Sequence, residues 1–324
     1  MKTLLRSTFA AVAWLGLMQA GVQAQIWPNK PVRIIVPFTP GGTSDTLGRI
    51  VAEQLSETFK QQFVVENRAG GGGVTGSAQV ARAAPDGYTL VVSGIASHVV
   101  APAINPNVNY DPVKDFTHIA MLGGPPLAFV INPTLKANTL KEFEELVRKA
   151  SSPMSFGSPG AGTHGHLIGE AFLQKAGLKM EHIAYKGASA AMTDVIANHI
   201  PASSNTFATA AAHIRAGTVR ALAVSSATRL PNFPDIPTFK EAGYPDFVAI
   251  TWFGLSGPPK MPQDIVDKLN KEVVRILALP QVRERIEKDA ITTDPLSPAE
   301  FTQYVEKEIE RWGPIAKASG ATPE

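Results

Sequence analysis

Two rhythms of apolar residues run along this chain. Short apolar runs of strand length recur, and between them apolar residues return at helical spacing. Val32–Val36 (VRIIV), Phe63–Glu66, Tyr88–Val92, Ile119–Leu122 and Ala128–Ile131 predict strands. Ser155–Gly157, His182–Ala184, Ala221–Ser225 and a run within Val248–Leu255 predict further ones. Leu47, Ile50, Val51 and Leu55 fall on one helical face, and Ala78, Val80 and Ala81 begin another helix that Pro85-Asp86-Gly87 stops. Helices are expected over 140–150, 167–175, 190–197, 208–216, 264–277, 280–287 and 298–318. Strand-helix alternation of this kind specifies α/β sheets with right-handed crossovers. The closing block of helices reads as a wrap packed back onto an earlier sheet.

The first two dozen residues stand outside that pattern. Lys2 and Arg6 precede the apolar AAVAWLGLM, and Val22-Gln23-Ala24 has a small-x-small form, as in a secretory signal peptide cleaved after Ala24. Without residues 1–24 the 30 basic residues become 28, equal to the 28 acids. A mature chain so near neutrality gives no reason to expect nucleic acid or an anionic membrane surface as partner. At 324 residues, 44% hydrophobic and 18% charged, it has the composition of a globular protein of about two domains. It has no cysteine, hence no disulfide and no thiolate metal site. The expectation is an exported, periplasmic protein.

In open α/β sheets, ligands bind beyond the carboxyl ends of the strands, where the next helix starts. Five candidate strand-to-helix turns are rich in Gly, Ser, Thr, Asn or His: PFTPGGTSD (37–45), SGIASH (93–98), GSPGAGTHGH (157–166), YKGASA (185–190) and SNTFAT (204–209). Glycine admits close backbone approach, hydroxyls cap helices, and helix N-termini present N–H donors with a partial positive charge. Such turns hold anions without Arg or Lys. Asp45 is either a helix cap or a base.

Motifs for chemistry are weak. Residues 70–77 (GGGGVTGS) lack the Lys of a phosphate-binding loop, and their G-x-G-x-x-G match follows almost automatically from four consecutive glycines. Gly254-Leu255-Ser256-Gly257-Pro258 misses the last Gly of a hydrolase elbow. His164-Gly165-His166 has no metal-protease pattern around it and reads as capping or hydrogen bonding.

The phrases WPNKPVRIIVPFTPGGTSDTLGRIVAEQL, VVENRAGGGGVTGSAQVARAAPDGYTL, YDPVKDFTHIA, SFGSPGAGTHGHLIGE, AYKGASAAMTDVI and HIRAGTVRALAVSSATR carry a resemblance that runs from residue 26 onward. LPNFPDIPTFKEAGYPDF and TWFGLSGPPKMP extend it. The chain resembles the Bug-type periplasmic receptors, the solute receptors of tripartite tricarboxylate transporters. That resemblance implies a two-domain α/β fold of the periplasmic-binding-protein type II, a flytrap with two crossover segments. Its expected division is residues 25–124, then 125–225, then a return over 226–324. It implies no catalysis and no cofactor, and a small organic carboxylate as ligand: a dicarboxylate before others, aliphatic or aromatic, such as terephthalate. It also implies that the loop at 37–42 holds a carboxylate, partly through ordered waters, and that Gly160–Thr163 and His166 form the matching turn of the second domain. The partners implied are the membrane components of such a transporter, with a monomeric receptor.

Two departures bear on the ligand. His164-Gly165 stands where many relatives have Ser-Ser, and NHIPASSN (198–205) stands where they usually carry G-Q-V-D-x-x-F-D. Pro201 and Asn205 thus replace two acids, which disfavours a ligand bearing an ammonium group. The expected site has Phe38 as an apolar face, with Thr39, Gly41, Gly42, Thr43 and Ser44 on one carboxylate. Ser93, Ser97 and His98 form the wall of the same domain. Ser158, Gly162, Thr163, His164 and Asn205 close from the second, and His98 and His164 are partners for a second carboxylate. The rival reading is an exported α/β hydrolase of carboxylate esters with Ser256 as nucleophile; a receptor recruited for signalling is a third.

Overall fold

The computed structural model describes residues 27–245, 247–319 and 321. The expected signal peptide lies outside the described residues. Among those described, no helix is long and apolar enough to cross a membrane.

Two five-stranded sheets organise the chain. The first contains β1 (Val32–Val36), β2 (Phe63–Asn67), β3 (Thr89–Gly94), β4 (Thr117–Gly123) and β10 (Phe253–Gly257), in the order β2-β1-β3-β10-β4. The second contains β5 (Leu127–Ile131), β6 (Met154–Ser158), β7 (Met180–Ala184), β8 (Ala202–Thr206) and β9 (Arg220–Val224), in the order β7-β6-β8-β5-β9. Each sheet has a parallel run broken by one reversed strand. β10 lies antiparallel to β3 and β4, and β5 lies antiparallel to β8 and β9. These are the strands through which the chain enters each sheet from the other, so they begin at the junction where the other strands' connections run. The expected two-domain α/β fold with two crossovers is what forms.

Helix α1 (Thr43–Phe59) shows how sequence positions the site. Leu47, Ile50, Val51 and Leu55 are buried against the first sheet. Gly48 lets the helix ride close: a Cβ there would stand 3.0 Å from a Val36 methyl and 3.1 Å from a Val92 methyl. α2 (Val74–Ala81), a π-helical turn (Ala96–Val100) and the short α3 (Ala101–Ile104) cover the same half. In the second half α4 (Leu140–Lys149), α5 (His164–Ala176), α6 (Ala188–Ile196) and α7 (Phe207–Arg215) follow the strands. The C-terminal α8 (Gln263–Leu277) and α9 (Pro280–Glu287) pack Leu269, Val273 and Ile286 into the core of the first sheet. The last, α10 (Pro298–Ala318), starts at a capping box of Ser297 and Glu300.

Two details differ from the pattern reading. Residues 204–206, expected in the turn 204–209, belong with Ala202 and Ser203 to β8, a central strand buried along its length. Its side chains find partners inside: Ser203 donates to Gly157 O at 2.9 Å and accepts from Asn205 Nδ2 at 2.8 Å. The stretch between β9 and β10 packs on the second sheet, with Phe233 against Phe207 (ring centroids 4.7 Å) and Phe239 against Phe172 (5.9 Å).

The crossovers meet at a tight junction. Ser225 Oγ accepts from Leu127 N at 2.8 Å and donates to Ala249 O at 2.6 Å, tying both connections together. Gly124 pairs with Thr292 through Gly124 N to Thr292 O at 2.9 Å and Thr292 N to Gly124 O at 3.1 Å. A Cβ on Gly124 would fall 1.8 Å from Thr251 O, so only glycine fits there.

Candidate functional site

A cavity of about 50 Å³ lies between the sheets, at the carboxyl ends of their parallel strands. Phe38, Gly42, Thr43 and Ser44 line it from the loop after β1, and Val92 to Ala96 from the end of β3. Pro159, Thr163, His164 and Gly165 come from the loop after β6, Ala188 from the start of α6, and Thr206 from the end of β8. Leu127 and Phe253, the first residues of the two reversed strands, and Thr251 complete the wall.

Four helices therefore begin at this cavity: α1 at Gly42, α5 at Thr163, α6 at Ala188 and α7 at Thr206. First-turn N–H groups have no carbonyl within their own helix, and the helix dipole adds partial positive charge. Some of these donors are already committed. Thr163 Oγ1 accepts from His166 N at 3.3 Å, and Phe207 N donates to Pro126 O at 2.8 Å. No Lys, Arg, Asp or Glu is among the residues lining the cavity. Its one titratable side chain, His164, is held to about 3 by burial and secondarily by Arg311, so it is neutral near pH 7.

Asp45 sits just behind the first loop and fixes its shape. Its carboxylate accepts from Gly41 N at 3.0 Å, Arg49 Nε at 2.9 Å and Asn67 Nδ2 at 2.9 Å, and Asn67 also donates to Phe38 O at 3.0 Å. Burial pushes the Asp45 carboxyl up, but the bonds from Arg49, Gly41 and Asn67 outweigh it and leave it below the usual range. Asp45 is thus an ionised brace for the loop.

Of the residues singled out from sequence, Phe38, Gly42, Thr43, Ser44, Ser93, Thr163 and His164 come together on the cavity. The others stand nearby in different settings. Thr39 N donates to Lys186 O at 3.1 Å across the cleft edge, and its hydroxyl lies 3.3 Å from Ser189 Oγ. Gly41 gives its N–H to Asp45. Gly162 faces Ala101 and Ile104 of the other half. Ser97 bonds His98 Nδ1 at 2.9 Å, and His98 packs on Phe116 (4.5 Å between centroids), fully buried within the first half. Ser158 bonds His182 Nε2 at 2.7 Å. Asn205 projects opposite to Thr206 on β8 and reaches Ala188 O at 3.5 Å.

Two hydroxyls on the wall are committed as donors. His118 Nε2 contacts Pro112 O at 3.1 Å, which requires a proton on Nε2 and leaves Nδ1 as acceptor. Ser256 Oγ, 3.0 Å from Nδ1, must donate to it, so Ser93 Oγ, 2.8 Å from Ser256, donates to Ser256. Thr163 Oγ1 donates to Gly160 O at 2.8 Å. The same chain locks Ser256 inside the first sheet, with no exposed surface.

Sequence reasoning missed Leu127, Thr251 and Phe253 and had Thr206 only as part of the candidate turn 204–209. Leu127 and Phe253 look like ordinary core residues until the strand reversal places them at the cleft. Thr251 holds His164 Nδ1 at 3.0 Å. The tetraglycine turn also has a role: Gly72 (φ 63°) approaches so closely that a Cβ would lie 2.6 Å from Ala161 O across the cleft.

Residues 47–321 match the tripartite tricarboxylate transporter family receptor, TctC. Protein BugT of Bordetella pertussis (strain Tohama I) is 33% identical over 303 residues, covering 93% of each chain. Among solved structures, MatC (Rpa3494) from Rhodopseudomonas palustris with bound malate is 30% identical with TM-score 0.85, over 90% of this chain and all of that one. Rpa4515 of R. palustris with adipate is 30% identical with TM-score 0.87, over 92% and 100%. The chain belongs to the TctC family and is a Bug-type receptor: a periplasmic solute-binding protein, not an enzyme.

Proposed function

We propose that this receptor captures a small organic carboxylate, a dicarboxylate before others, and delivers it to the membrane components of a tripartite tricarboxylate transporter. One observation carries the reading: helix N-termini from both sheets converge on a cavity lined by no charged side chain. Such a site favours an anion, and the absence of a lining carboxylate disfavours an amino acid's ammonium group. Malate in MatC and adipate in Rpa4515 support the carboxylate class. Phe38, Gly42, Thr43, Ser44, Thr163 and His164 are its contacts in this reading, with first-turn N–H groups of α1 and α5 as main donors. The receptor is exported, cleaved after Ala24 and monomeric. Its domains follow the sheets, with the stretch 226–245, expected in the return over 226–324, going to the second domain because it packs on that sheet.

A thermal-shift screen over aliphatic and aromatic carboxylates tests this. A ligand at 100 times its Kd adds about 2.7 kcal/mol of apparent stability. If only amines or uncharged sugars stabilise the protein, the reading is wrong.

A further inference from the structure

Among the described residues two acids are buried, Asp45 and Glu308. Asp45 braces the first loop of the cavity. Glu308 lies on α10, away from the cavity, and a buried carboxylate is costly unless it is paired and hydrogen-bonded. Its partners show what it holds. Glu308 Oε2 accepts from Trp252 Nε1 at 3.1 Å, and Oε1 lies 3.7 Å from Arg311 Nη1, about one turn further along the helix. Arg311 Nη2 in turn donates to Val248 O at 3.2 Å. The pair thus grips the second crossover at both ends, Val248 and Trp252.

That segment is where the two halves join. Ile250 bridges Pro126 of the first crossover, and Thr251 N donates to Pro125 O at 2.9 Å. When a two-domain receptor closes, a few connecting residues of this kind absorb the backbone rotation. α10 itself packs on β4, α3 and the π-helical turn of the first half. Its Trp312, with the Arg311 guanidinium 4.7 Å from its ring centroid, reaches the second half and meets His164 edge to face, the ring centroids 4.7 Å apart. His164 is in turn tied to Thr251, inside the gripped segment, at 3.0 Å. One circuit therefore links the cavity wall, the hinge and the C-terminal helix.

We propose that Glu308 and Arg311 are positioning residues for the cleft: their pair fixes the second crossover to α10, and so sets the angle at which the halves close and the place of His164 on the cavity wall. Neither side chain lines the cavity. They act on a ligand through the crossover and through Trp312. This goes beyond the carboxylate reading and stands without it.

The test uses the full mature receptor with spin labels at Lys141→Cys and Lys271→Cys, exposed positions in the two halves of a chain that has no cysteine of its own. Pulsed electron resonance gives the distance distribution between the labels, and calorimetry gives affinity for malate and adipate. Arg311→Met keeps an apolar stem beside Trp312 but cannot bond Val248 O or Glu308. It should broaden the distribution, with and without acid, and weaken whichever acid the parent binds by about tenfold, roughly 1.4 kcal/mol. Glu308→Leu should do the same. Glu308→Gln keeps an acceptor for Trp252 Nε1 and should restore affinity to within about threefold of the parent. If Arg311→Met keeps the parent's distances and affinity, the proposal is overturned, even should its melting temperature fall, because the pair would then serve stability alone. If neither acid binds the parent, the carboxylate reading suffers, and the distances without ligand decide this proposal by themselves. Arg311 is exposed, so its substitution settles the matter even if Glu308→Leu does not fold.

Discussion

Thr43 and Thr206 meet across the cleft, their hydroxyl oxygens 2.8 Å apart. Thr209 closes a triangle with them, at 3.3 Å from Thr43 and 3.0 Å from Thr206. The two bonds from Thr43 join the start of α1 to the start of α7 and exist only when the two sheets are together. A neutral hydrogen bond contributes about 0.5–1.5 kcal/mol net. Thr206→Val keeps the shape and removes the hydroxyl, so carboxylate affinity should fall about two- to tenfold, measured by calorimetry. Unchanged or tighter binding would show that the triangle does not hold the cleft closed.

Gly42 has φ −84°, which any residue adopts, and a Cβ there would lie 3.8 Å from the Ala188 Cβ. Gly42→Ala should therefore fold normally and keep affinity within about threefold. Gly42→Val adds methyl groups where α1 and α6 approach, at an overpacking cost of about 1–3 kcal/mol. That cost applies to the closed form, so affinity should drop roughly ten- to a hundredfold while the unliganded melt stays cooperative. Equal binding by both variants would make this loop a turn without a role in recognition.

Asp45 offers a different test, because it touches the loop rather than the cavity. Asp45→Asn weakens bonds to Gly41 N, Arg49 and Asn67. Bonds to a charged group contribute about 1.5–3 kcal/mol, and the loss should appear both in denaturant stability and in carboxylate affinity. Stability lost with affinity intact would mean that the loop's shape is not set by this carboxylate.

How much of this could be read from the chain alone depended on what each residue had to satisfy. Helix α1 was legible because Leu47, Ile50, Val51 and Leu55 repeat at helical period over one buried face. β8 was not, because its Ser and Asn side chains bond neighbouring strands and so carry no apolar signature. Polar turns pointed toward the cleft at Thr43, Ser44 and Thr163, but polarity alone could not separate His164, on the cavity, from His98, packed on Phe116. Leu127 and Phe253 were invisible as site residues, since their place follows from strand direction rather than from side-chain chemistry.

The buried histidines make stability depend on pH. Burial holds His118 and His166 to about 4 and His164 to about 3, all below the ordinary 6.5. The unfolded chain takes up these protons below pH 6.5 while the folded one does not. Stability is therefore full above pH 6.5 and falls as pH drops toward 4, each group adding a slope of up to about 1.4 kcal/mol per pH unit. Asp45, whose folded value is lowered, contributes above its unfolded value and is lost only at still lower pH. Urea unfolding at pH 7.5, 6.0 and 5.0 should give steadily lower midpoints; a flat profile would mean that these rings are protonated in the fold.

The central claim is that helix starts and hydroxyls, not cationic side chains, hold the ligand's carboxylate. The most direct measurement is a crystal structure of the receptor with the tightest-binding acid of the screen. It should show a carboxylate oxygen about 3 Å from first-turn N–H groups of α1, directly or through one water, with no Lys or Arg nitrogen within hydrogen-bond reach. A carboxylate paired to an Arg or Lys, or seated away from Gly42 and Ser44, would contradict the account.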